Sequence, residues 1–166
     1  MDENVAEKTE TKFADAYEAA RAWRDAGQTP TEIARVLHTP LPDGGWDLPV
    51  GQVARVLFHA YGLDLSAGQV AQALYASEGL DLMAAQVARV LCAEGLDLPA
   101  GQVARVLYSE DGLDLSAGEV ARAMRDDLDL PAGRVAQVLY SAQGLDLPAG
   151  QVARALRDGL DFSAER

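Results

Sequence analysis

The chain has 166 residues, 49% of them hydrophobic, with a formal net charge of −12 and one cysteine. That length suffices for one domain with a real core, and the lone Cys92 excludes an internal disulfide framework. Affinity for nucleic acid or an anionic membrane rests largely on Lys and Arg; Lys8 and Lys12 are the only lysines, so the charge argues against both. No basic start followed by an apolar stretch and no apolar run of about 18 residues is visible, so a soluble, cytoplasmic protein is expected.

Residues 1–9 are polar and of mixed charge, and are expected to fray as a flexible terminus. Residues 10–46 read as an N-terminal helical cap with a diverged first unit. Phe13, Tyr17, Ala20 and Trp23 mark one amphipathic helix ending at Gly27. Thr29-Pro30-Thr31-Glu32 then opens a second helix, with Thr29 as cap, Pro30 in the first turn and Glu32 completing a capping box. Its IARVL run, Ile33 to Leu37, matches the VARVL of later segments. His38 to Trp46 holds two Pro and two Gly and is expected to be a loop.

From residue 47 to 160 one unit recurs seven times, starting at Asp47, Asp64, Asp81, Asp97, Asp114, Asp129 and Asp146. A clipped eighth start, Asp161-Phe162-Ser163, occupies 161–166. Each unit carries its own helix signals. Ser66 with Gln69 and Ser116 with Glu119 have capping-box spacing, and Leu65 with Val70 suits a hydrophobic staple. Pro49, Pro99, Pro131 and Pro148 stand where the Ser does, at a helix entrance that has unpaired N–H groups anyway. Gly62, Gly79, Gly95, Gly112, Gly144 and Gly159 are expected to take the left-handed conformation just past each helix, in a Schellman-type end. The Asp residues are expected to favour the positive helix N-terminus.

Val53, Ala54, Val56 and Leu57 show the helical spacing between those signals, one apolar stripe per helix. Helices of about 11 residues are marginal alone, so each must bury its stripe on its neighbours. The units run 17, 17, 16, 17, 15, 17 and 15 residues. The second, fourth and sixth keep 17 and alone have Tyr at the twelfth position, as Tyr75, Tyr108 and Tyr140; the others have Phe58, Cys92, Arg125 and Arg157 there. The repeat therefore reads as a pair of helices, and the expected fold is an all-α solenoid of paired short helices. Its pair of 32–34 residues has the size of tetratricopeptide or ankyrin units without their signature residues.

Residues 17–60 run as helix, AGQTPTEIARVL, PLPDGGW and a further helix with VARVL. This order resembles the helix-turn-helix part of the DNA-binding region of large serine recombinases. The matching positions are Gly27, Ile33, Ala34, Leu37, Gly44, Gly45 and Trp46, with Val53 and Leu57 as recognition-helix core. The resemblance implies a small DNA-binding regulator, although Arg55 is the only cation on the helix that would read the DNA.

Catalytic motifs do not emerge. His38, His59 and Cys92 lack ligand spacing, the Asp residues lack the dense oxygen pattern of calcium loops, and no P-loop, GxSxG or dinucleotide glycine pattern occurs. No catalytic residue, metal site or cofactor is expected, and the chain reads as non-enzymatic. What remains is a row of polar residues at spacing three in the Tyr-bearing units: Gln69, Gln72 and Tyr75; Gln102, Arg105 and Tyr108; Arg134, Gln137 and Tyr140. Each triplet lies along one edge of its helix, and Tyr and Arg often anchor interfaces. The expected partner is a protein or peptide, with DNA through residues 17–60 as the alternative. The apolar side of Val152, Leu156 and Leu160 is expected to lack a cover, giving a homodimer or a partner-capped C-terminal end.

Overall fold

The structure is a computed structural model that describes residues 3–160, with side chains from residue 14 onward. Phe13, Phe162 and the segment 161–166 lie outside that description. Among the described residues the protein is all-helical, with no strand. The helices are α1 (Glu3–Asp25), α2 (Pro30–His38), α3 (Val50–Phe58), α4 (Ala67–Tyr75), α5 (Ala84–Arg89), α6 (Ala100–Tyr108), α7 (Ala117–Asp126), α8 (Ala132–Tyr140) and α9 (Ala149–Leu160). A 3-10 turn, Leu41–Asp43, follows α2, and α5 runs on as a π-helical segment, Val90–Glu94. Helix α1 opens at Glu3, inside the stretch expected to fray.

The helix starts follow the sequence closely. Glu32 N–H donates to the Thr29 hydroxyl while the Glu32 carboxylate accepts from Thr29 N–H at 2.8 Å, and Ser116 with Glu119 repeats this at 2.9 Å. These bonds hold both carboxyls below the usual range: the Thr29 N–H acts most on Glu32, the Ser116 hydroxyl on Glu119. Ser66 with Gln69 forms the amide version. Pro49, Pro99 and Pro131 occupy the same N-cap position, with no side-chain cap.

The helix ends differ from expectation. None of Gly62, Gly79, Gly95, Gly112, Gly144 and Gly159 has a positive φ; in the repeated units the left-handed residues are the seven Asp at the unit starts, with φ between 50° and 55°. Instead of a Schellman end, the chain leaves the helix extended and hooks back over its last turn. Leu63 N–H donates to Val56 O and Leu65 N–H to Leu57 O; Leu113 and Leu115 repeat this on Val106 and Leu107, and Leu145 and Leu147 on Val138 and Leu139. The glycine is needed because the hook lies against the helix. A Cβ on Gly62, Gly112 or Gly144 would overlap the carbonyl oxygen of Val56, Val106 or Val138. Gly159 is not an end at all but lies within α9. Gly45-Trp46-Asp47-Leu48 closes the loop after α2 in the same way, with Trp46 N–H on Val36 O and Leu48 N–H on Leu37 O.

The Asp residues thus have a conformational role beyond the electrostatic one expected, since Asp and Asn adopt left-handed φ more readily than other side chains. Asp114→Ala is expected to lower stability by about 1 kcal/mol, and Asp114→Asn to be nearly neutral. Urea denaturation checks this; equal losses for Ala and Asn would show that charge, not φ, keeps Asp there.

Packing follows a regular rule. α2 touches α3 and α4; α3 touches α4 and the π segment; α4 touches α5 and α6; α5 touches α6 and α7; α6 touches α7 and α8; α7 touches α8 and α9. Each helix therefore meets the next and the next but one. The core between them is continuous, with Ile33, Leu37, Leu57, Leu74, Leu91, Leu107, Met124 and Leu139 fully buried.

Candidate binding face

The nine residues of the polar row sit on α4, α6 and α8, which pack in succession. All nine are exposed, so the Tyr rings do not belong to the core: Tyr75, Tyr108 and Tyr140 are 42%, 39% and 63% exposed. Each Tyr is the last residue of its helix.

The polar members divide. Gln69 serves its own helix, accepting from Ser66 N–H at 3.0 Å. Arg105 spans the groove to the turn after α8, donating from Nε to Gly144 O at 2.7 Å and from its terminal nitrogen to Ala142 O. It is a structural clamp rather than a free cation. The same device recurs at Arg55, which donates to Gly95 O at 2.8 Å, and at Arg122, which donates to Gly159 O at 3.4 Å. Arg134 donates to Gln137 at 2.8 Å. Among the described residues, Gln72, Gln102 and the three Tyr hydroxyls keep side-chain groups without a hydrogen bond.

Two features extend the row beyond its sequence reading. His38 ends α2 as the tyrosines end their helices, with Arg35 and Glu32 at the two preceding steps of three. The signal was present, since IARVLH aligns with VARVLY. Met83, 68% exposed, lines a groove with Tyr75, Ala76, Asp81 and Ala84. A second groove, of about 220 Å³, joins Tyr75 and Met83 to Ala85, Arg122 and Asp127. The unit starting at Asp114, which supplies Arg122 and Asp127, has 15 residues and lacks the glycine turn of its neighbours.

Within residues 17–60, Ile33, Ala34, Leu37, Val53 and Leu57 are buried. Gly27 and Gly44 have φ of +92° and +84°, and Trp46 meets the edge of Trp23 at 6.2 Å. Gly45 leaves no room for a Cβ beside Thr39.

Among the described residues no reactive constellation is assembled. His38 Nδ1 lies 2.8 Å from Leu48 O, and His59 stacks on Tyr61 at 5.0 Å. Burial pushes the Cys92 thiol up, away from the thiolate that a nucleophile needs. Among the described residues no three His, Cys, Asp or Glu side chains come together, and no helix is long and apolar enough to cross a membrane. No family model, curated protein or solved structure matches the chain.

Proposed function

We infer that the chain is a non-enzymatic solenoid of paired helices that binds an extended segment of another protein along the Gln/Arg/Tyr face. The observation that carries this reading is the repetition of one exposed aromatic ring at the same helical position on α4, α6 and α8, helices that pack one on the next. Contact of each helix with the next and the next but one is the pattern expected when units stack in a row. Side-by-side helices lie about 8–10 Å apart, a distance spanned by about three extended residues. Every third side chain of a bound segment would then meet a ring, while the Gln72 and Gln102 amides are free to pair with its main chain.

The surroundings favour basic residues between the anchors. Glu78 and Asp81 follow Tyr75, and Glu110, Asp111 and Asp114 follow Tyr108. Panning a displayed random-peptide library on the full chain is expected to enrich sequences with an apolar residue at every third position and Lys or Arg between. The combined Tyr75→Ser, Tyr108→Ser and Tyr140→Ser variant is expected to lose that capture while its melting temperature shifts little, because the rings lie outside the core. Capture that survives the three substitutions, or a large loss of stability, would contradict the reading. Retardation of duplex DNA by the full chain would support the alternative, recognition through residues 17–60.

A further inference from the structure

The last two helices break a rule that most of the earlier ones keep. In α2, α3, α4, α6 and α7 the second residue receives the turn of the helix two places on, while α5 has Ala85 there, on the groove that reaches Asp127. A Cβ on Gly51, Gly68 or Gly101 would overlap the carbonyl oxygen of Glu94, Asp111 or Gln143, and one on Gly118 would lie 3.6 Å from Gly159 N. Thr31 holds this place in α2, its Cγ2 being 3.1 Å from where a Gly79 Cβ would stand. Among the described residues a Cβ on Gly133 of α8 or Gly150 of α9 would meet nothing within 4 Å. Beside those glycines Ala136, Tyr140, Ala153 and Leu156 line an apolar groove of about 500 Å³, with Val152 at its floor; against expectation Val152 and Leu160 are themselves buried and Leu156 is half-buried. In α6 the residue at the Ala136 register, Ala104, is fully buried. Arg154 and Arg157 stand at the registers of Arg122 and Arg125, which donate to the carbonyls of Asp158, Gly159 and Leu160. Among the described residues Arg154 has no partner.

We propose that this end binds the same end of a second copy of the chain, with α8 and α9 of each packed together about a two-fold axis. The opposite end is closed. Tyr17 of α1 packs on His59 at 5.8 Å and lies 3.1 Å from where a Gly62 Cβ would be, and Trp23 covers Trp46. Helix α1 thus occupies the turns that a head-to-tail neighbour would have to offer to Gly133 and Gly150. Among the described residues nothing covers this face, and a face that pairs with its own copy closes as an isologous dimer. Charge points the same way. The chain carries −12 overall, yet α8 and α9 hold Arg134, Arg154 and Arg157 against Asp158 alone, so two acidic molecules repel least there. Small residues at positions 133, 136, 149, 150 and 153 let the backbones approach closely.

Sedimentation of the full chain at up to about 100 µM is expected to show a monomer–dimer equilibrium. Ala153→Arg on α9 and Ala136→Arg on α8 are each expected to weaken association at least about tenfold, while Ala60→Arg, exposed in the turn after α3, leaves it unchanged. Circular dichroism melts identify either variant that fails to fold, and the other then decides. A monomer throughout the range, a dimer indifferent to both substitutions, or open-ended association would overturn the proposal.

Discussion

Replacing Leu107 by Ala is expected to cost about 2–5 kcal/mol, the range for deleting a fully buried leucine whose surroundings relax only in part. Leu107 is wholly inaccessible and sits on α6, which touches α4, α5, α7 and α8. A helix held by four neighbours has little freedom to collapse into the space. Its carbonyl also accepts the Leu115 N–H at 2.9 Å, so a shift of α6 would disturb the hook that leads to α7. Denaturant melts read the loss directly. A change within about 0.5 kcal/mol, the scale of surface substitutions, would mean that α6 does not sit inside a continuous core.

Much of the fold is legible in the sequence because the signals are local. A capping box needs only four residues, and those at Thr29, Ser66 and Ser116 form as written. Helix type is equally local, since the stripe of Val53, Ala54, Val56 and Leu57 is a matter of spacing. The turns are harder to read. A glycine past a helix has two possible reasons, a left-handed φ or the absence of a Cβ, and the letter is the same for both. Gly112 is there for the second reason, and the φ expected of it belongs to Asp114 two residues on. The loop after α2 hid its kinship for a related reason: Trp46 fills the place of the leucine in Gly-Leu-Asp-Leu.

The candidate face is legible as a pattern of positions but not as a set of free groups. Whether Tyr108 lies in a seam or on the surface depends on how α6 and α8 are rotated against each other, which spacing within one helix does not determine. The engagement of Arg105 was invisible for a plainer reason, because its acceptor, Gly144, lies 39 residues away.

At Gly51, Gly68 and Gly101 the second residue of a helix receives the turn of the helix two places on, and one pair of substitutions tests this stacking with opposite signs. Gly101→Ala puts a methyl group into the carbonyl oxygen of Gln143, backbone that cannot swing away as a side chain would. Overpacking of that kind costs about 1–3 kcal/mol. Gly133→Ala, at the same place in α8, meets nothing within 4 Å, and the better helix propensity of Ala makes it neutral to about 1 kcal/mol stabilising. Urea denaturation of both variants beside the parent, in dilute solution where copies do not associate, is the direct measurement. Loss at residue 101 with no loss at residue 133 is the predicted result; equal effects of one sign at the two positions would contradict the stacking.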